Sequence, residues 1–75
     1  MRTTKPEREW RKEFAKHMRA RMEFLDINQR QLAKMSGVSE SEISRYLRGL
    51  KTPLAYTVTR LATGLNMKPA ELMDF

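Results

Sequence analysis

Cysteine is absent from the 75-residue chain, and histidine occurs once, as His17. A chain without cysteine forms neither a disulfide nor a thiolate metal site, and one imidazole does not make a histidine-based zinc site. The sequence also lacks a glycine-rich phosphate loop and a pair of carboxylates with a defined common site. We therefore expect no enzymatic activity, no metal and no cofactor.

Long apolar runs are also absent, since no stretch exceeds three residues. A bilayer-spanning helix needs about 20 apolar residues, and the charged N-terminus lacks the apolar segment of a signal peptide. The chain has only three glycines and three prolines, with 40% hydrophobic and 32% charged residues. This composition is typical of a folded helical protein. We expect one compact cytoplasmic domain over residues 1–75, with no membrane partner.

Positive charge predominates: 15 lysines and arginines face 9 acidic residues, which gives a net charge of +6. Polyanions, and nucleic acid first among them, are the natural partners of so small a basic protein. Two thirds of the net charge lies in residues 1–25. Charge alone does not show which surface binds the partner.

Capping residues and apolar spacing predict five helices and an all-α bundle. Thr4-Lys5-Pro6-Glu7 is a capping box that would open helix 1, over about 5–25. The apolar residues of this helix recur every three or four positions: Trp10, Phe14, Met18, Met22 and Leu25. Thr52-Pro53 would open helix 4, whose apolar face includes Leu54, Val58, Leu61, Ala62 and Leu65, and a short fifth helix would begin at Lys68-Pro69-Ala70-Glu71.

The central segment has the layout of a helix-turn-helix over about 29–48. Asn28 caps helix 2, about 29–35, and Gly37 supplies the left-handed conformation that ends it. Ser39-Glu40-Ser41-Glu42 is a capping box for helix 3, about 40–48, and Gly49 ends that helix. The positions that must face the core are apolar: Leu32, Val38, Ile43, Tyr46 and Leu47. An ordinary helical hairpin with the same pattern is the alternative.

The residues of this segment carry a family resemblance. Asn28-Gln29-x-x-Leu32-Ala33-x-x-x-Gly37-Val38-Ser39-x-x-x-Ile43-Ser44-x-x-x-x-Gly49, followed by Pro53 and Leu61-Ala62-x-x-Leu65, resembles the Cro/C1-type, lambda-repressor-like helix-turn-helix family over about 18–73. The resemblance implies a regulator of transcription that binds a specific double-stranded DNA operator, as a repressor of phage, mobile-element or operon type. An antitoxin-like module that binds a toxin and regulates its own operon is the alternative.

The resemblance also implies where DNA is bound. In the family the glutamine that opens helix 2, here Gln29 beside its cap Asn28, fixes a phosphate, and early helix 3 residues touch base edges: Ser39, Glu40, Ser41, Ser44 and Arg45. Helical geometry agrees, because positions 40, 41, 44, 45 and 48 share one face opposite 43, 46 and 47. Arg45 is suited to guanine O6 and N7, and Arg48 and Lys51 are suited to phosphates.

Two acidic residues need a separate interpretation. Glu42 is expected to be the reciprocal cap of Ser39 rather than a base contact, because its spacing explains it. Glu40 has two readings, acceptance of a hydrogen bond from cytosine N4 and support of the positive end of the helix dipole.

Two features lie outside the family pattern, and one of them is Gly64, where helix 4 would usually have alanine. Helix 1 begins about ten residues early, and its cations are expected to form a solvated face, with a DNA-binding arm or an oligomer contact as alternatives. Because one short helix reads few base pairs, we expect a homodimer on a near-palindromic site. The apolar tail is the expected dimer interface, or seam, and Trp10 is the alternative. The tail residues in question are Met67, Leu72, Met73 and Phe75.

Overall fold

The computed structural model describes residues 6–75 and contains five helices within them. Their bounds are α1 Glu7–Leu25, α2 Gln29–Ser36, α3 Glu40–Leu47, α4 Ala55–Gly64 and α5 Pro69–Leu72. Residues 6–75 include no strand, so the predicted all-α fold is confirmed. Pro6 stands at the N-cap of α1, and Thr4, the expected cap, lies outside the described residues. No helix in the described part of the chain is long and apolar enough to cross a membrane.

All five helices contribute to one apolar core. The predicted core positions of the helix-turn-helix are buried, as are Phe14, Met18 and Met22 of α1. Leu72 of α5 is also completely buried. α2 packs mainly against α4, and α1 packs against α3. Contacts with the core therefore fix the orientation of α2 and α3.

The predicted start of α4 is wrong. Leu54 has extended backbone and is the N-cap of this helix, and its side chain is 76% exposed rather than part of the apolar face. The Thr52 hydroxyl does not cap α4, because it donates to the Glu7 carboxylate at 2.6 Å. The segment between α3 and α4 is thus tied to α1.

Gly64 lies buried where α4 crosses α2. A Cβ atom at this position would lie 2.8 Å from Ser36 Cβ and 3.0 Å from Leu32 Cδ1. Glycine within a helix costs about 1 kcal/mol relative to alanine. The close approach of the two helices explains why the sequence has glycine there.

Arginines of α1 close the carboxyl end of α3. Arg19 Nη2 donates to the Leu47 carbonyl at 2.7 Å, and Arg11 Nε donates to the Gly49 carbonyl at 3.0 Å. The last carbonyls of a helix have no partner within the helix and lie at the negative end of its dipole. These guanidinium groups therefore stabilise the end of α3.

The same arrangement recurs at two other helix ends. Arg21 of α1 donates to the Leu65 and Asn66 carbonyls after α4, at 3.0 and 3.1 Å. Arg60 of α4 donates to the Gly37 carbonyl after α2 at 3.1 Å. Helix 1 was expected to carry its cations on a solvated face, but Arg11 and Arg21 are half-buried, and both, like the exposed Arg19, donate to carbonyls of neighbouring segments.

Candidate nucleic-acid interface

Side-chain caps define the start of α2 and of α3, the two helices of the helix-turn-helix. Asn28 Oδ1 accepts from the Gln31 N–H and Gln31 Oε1 accepts from the Asn28 N–H, each at 2.8 Å, so the predicted cap of α2 is confirmed. Gly37 has φ of 76° and ends α2, and Ser39 Oγ accepts from the Glu42 N–H at 3.2 Å at the start of α3. The predicted helix-turn-helix boundaries agree with the structure to within one residue.

One face of α3 is buried and the other is polar. Ile43, Tyr46 and Leu47 pack into the core. The outward face comprises Glu40, Ser41, Arg45 and Arg48, all exposed, and the half-buried Ser44. α3 is therefore held by its apolar face and presents a polar surface of two hydroxyls, the Glu40 carboxylate and two guanidinium groups.

The two arginines of this face differ in their contacts. Arg48 Nε donates to the Ser44 carbonyl at a long 3.4 Å. Arg45 forms no side-chain hydrogen bond or ion pair with residues 6–75. Its five N–H donors are therefore available to a ligand.

Glu42 does not cap α3 reciprocally, contrary to expectation. Its carboxylate accepts from Lys51 Nζ at 2.7 Å and from the Tyr46 hydroxyl at 3.2 Å. An ammonium group is a stronger donor to a carboxylate than a neutral backbone N–H, and Lys51 lies within reach. The hydrogen bond from Lys51 holds the pKa of Glu42 below its usual value, and the same bond raises the pKa of Lys51. Lys51, expected on phosphates, is thus paired within the protein.

At the start of α2, Gln29 is half-buried and its side chain forms no hydrogen bond with residues 6–75. Asn28 and Gln29 line a shallow groove together with Arg19 and Leu47. The Asn28 side-chain oxygen is occupied by its cap. The structure thus brings Gln29 close to the carboxyl end of α3.

Sequence reasoning missed the arginines that hold the end of α3. The pattern contains a signal for them: Arg11 and Arg19 lie four residues on either side of the buried Ala15, at the border of the apolar stripe of α1. Long cationic side chains at such a border bury their stems and extend their charged ends over neighbouring elements.

No group of three or more metal-ligating residues occurs within residues 6–75.

A helix anchored on the core behind a tight turn, with a polar cationic outer face, defines a DNA-binding helix-turn-helix protein. The helix-turn-helix family model matches residues 18–72, and the chain belongs to this family. Among solved structures, the chain is similar to the restriction-modification controller protein C.AhdI from Aeromonas hydrophila. The two are 27% identical with a TM-score of 0.79, over 83% of this chain and 94% of that one.

No curated protein matches the chain. The family model and the structural likeness identify a sequence-specific DNA-binding regulator of transcription. They do not favour the antitoxin alternative. The first half of α1 lies outside the matched residues.

Proposed function

We propose that this regulator is an operon repressor that places α3 in the major groove of its operator, with Arg45 as the main base-reading side chain. The observation that carries this proposal is the state of Arg45, which is exposed on the outer face of α3 and whose side chain forms no hydrogen bond or ion pair with residues 6–75. A planar guanidinium donates two parallel hydrogen bonds to guanine O6 and N7. The core contacts of Ile43 and Tyr46 hold the helix that carries it.

Serines supply shorter polar contacts on the same face. Ser41 and Ser44 hydroxyls can donate to or accept from base edges. Ser39 Oγ lies 3.4 Å from Ser41 Oγ while it caps α3, so the proposed role of Ser39 is to orient Ser41 as well as to contact DNA. Two roles are open to Glu40: acceptance of a hydrogen bond from cytosine and support of the positive end of the helix dipole.

Phosphate contacts flank the base-reading helix in this proposal. Gln29 lies in the first turn of α2, where free backbone N–H groups favour an anion, and Asn28 fixes that turn through its cap. Arg48 lies at the far end of α3. Lys51 contributes once it exchanges the Glu42 carboxylate for a phosphate. These contacts set the register of α3 on the duplex.

A homodimer is part of the proposal, and some residues of the expected tail seam also have contacts within their own subunit. Leu72 is completely buried within its own subunit. Phe75 packs beside Trp10, with ring centroids 5.5 Å apart, and Trp10 stacks on Phe14 at 5.2 Å. Leu72 and Trp10 therefore help to close the core of one subunit, whereas Met73 and Phe75 are 40% and 36% exposed.

The segment that follows α3 is a better candidate for the seam. Leu50, Leu54 and Tyr56 are 61%, 76% and 68% exposed. If the protein is a dimer on a near-palindromic site, its half-sites should lie about 34–36 Å apart, which is one turn of the duplex. Leu54→Asp should give a monomer in sedimentation, whereas Met73→Asp, an exposed tail residue, should not. Dissociation by Met73→Asp alone would return the seam to the tail.

Selection of bound duplexes from a random library tests the function itself. We expect a near-palindromic consensus that wild type binds far more tightly than a scrambled duplex. Enrichment of no consensus, with equal binding to all duplexes, would contradict recognition of a specific operator.

A further inference from the structure

A cationic cleft lies between α1 and the carboxyl end of α3. Its volume is about 260 Å³, and it is lined by Lys12, Ala15, Lys16, Arg19, Leu47, Arg48 and Gly49. Four of these seven side chains are cations and none is acidic. The cleft thus concentrates one sign of charge on the basic surface of the protein.

The two lysines of this cleft form no ion pair within the part of the chain that the structure describes. Both Lys12 and Lys16 are exposed. Arg19 reaches across the cleft to the Leu47 carbonyl, which keeps its positive charge beside theirs. Cations gathered in this way repel one another, and an anion bound between them relieves that repulsion.

The cleft is continuous with the proposed DNA-binding surface. Arg48 belongs both to the cleft and to the outer face of α3. On the other side, Arg19 and Leu47 are shared with the groove that contains Gln29. The cleft therefore lies between two side chains that are proposed to contact phosphates, so a duplex bound along α3 passes beside it.

We propose that this cleft binds a backbone phosphate of the operator, with Lys12 and Lys16 as its ligands. The inference rests on the proposed function, in which α3 lies in the major groove. One turn of helix separates the two lysines, about 6 Å along α1, so both ammonium groups can approach the same stretch of backbone. Because both lysines lie outside residues 18–72, the segment that matches the family model, the contact belongs to the extended part of α1.

The test compares two double variants with the same loss of charge. Lys12→Gln with Lys16→Gln removes the proposed ligands, and Lys34→Gln with Lys68→Gln removes two exposed lysines, one in α2 and one at the N-cap of α5. Affinity is measured between 50 and 200 mM salt, for the selected operator and for a scrambled duplex. We call the Lys12→Gln, Lys16→Gln protein the α1 variant. We expect its slope of log affinity against log salt concentration to be less steep than that of wild type by about one to two, equally for both duplexes. The control should retain nearly the wild-type slope.

A wild-type slope in the α1 variant would overturn the inference while leaving operator binding intact. If wild type binds no duplex, the proposed function fails and the inference fails with it. Phosphate ethylation of the operator gives a second measurement on the wild-type protein. Interference at a phosphate outside the selected base pairs, lost in the α1 variant, supports the cleft, and its absence in wild type contradicts it. The unfolding midpoints of both double variants show whether a change in slope reflects folding.

Discussion

α1 and α3 both carry arginine, but they use it in opposite ways. Arg11, Arg19 and Arg21 of α1 donate to carbonyls at the ends of other helices. Arg45 of α3 has no such acceptor among residues 6–75 and faces outward. The difference follows from position: the α1 arginines border an apolar stripe packed against α3 and α5, whereas Arg45 lies opposite one. Net charge therefore shows what class of partner binds, and the burial pattern shows which cations remain free to bind it.

Arg45→Ala should have the largest effect on DNA binding and almost none on folding. We expect a loss of about 1–3 kcal/mol on the selected operator and a relaxed preference at one base pair, because a bidentate guanine contact is removed. Binding to selected and scrambled duplexes, together with the thermal unfolding midpoint, checks both parts.

Arg48→Ala is the matched control for that experiment, since it removes the same charge from the same face. A phosphate contact carries no sequence information, so its loss should weaken all duplexes in similar proportion. If Arg45→Ala behaved in the same way, Arg45 would not read a base.

Arg21→Ala should have the opposite effect, a loss of stability without a loss of affinity for DNA. Its guanidinium holds two carbonyls after α4 and lies 4.9 Å from the centre of the Phe24 ring. We expect a loss of about 1–2 kcal/mol of stability, since charged hydrogen bonds are lost at a partly exposed site. Each kcal/mol lowers Tm by about 4–8 °C for a domain of this size. Operator affinity, measured below the unfolding transition, should be unchanged.

Arg8→Ala controls for the change in charge, because Arg8 lies on the same helix, is exposed and has a side chain that forms no hydrogen bond or ion pair with residues 6–75. Its Tm should stay close to that of wild type. Equal losses of Tm in the two variants would show that net charge, not the closed helix end, explains the effect.

The sequence predicted the helices whose ends have local causes. Asn28, Gly37 and Ser39 fix the bounds of α2 and α3 through bonds within three residues or through one left-handed residue. The predicted caps by Thr52 and Glu42 are wrong because the cause is not local. Each fits a local cap, but a charged or better placed partner from another segment takes its side chain, Glu7 and Lys51 respectively. Bonds between residues far apart in sequence are not visible in local patterns.

Gln29→Ala should have a smaller effect than Arg45→Ala and should act on all sequences. We expect a uniform loss of affinity with no change in helical signal, because the Asn28 cap remains in place. Fluorescence binding on selected and scrambled duplexes, with circular dichroism, is the measurement. Parallel loss of helix and binding would assign Gln29 to folding.

Glu42→Gln tests a cation that lies between the two classes, since Lys51 is exposed yet paired. The pKa of Glu42 in the folded protein is lowered chiefly by Lys51, so its carboxylate adds stability above the usual carboxyl range. That contribution disappears as pH falls through the lowered pKa, because the protonated acid resembles glutamine. We expect Glu42→Gln to have a slightly lower Tm than wild type at pH 7, by less than Arg21→Ala, and the gap to close as pH falls below the usual carboxyl range. The same variant should bind every duplex somewhat more tightly, because Lys51 becomes free for phosphate and a nearby negative charge is lost. A gap in Tm that stays constant with pH would show that the ion pair contributes nothing to stability.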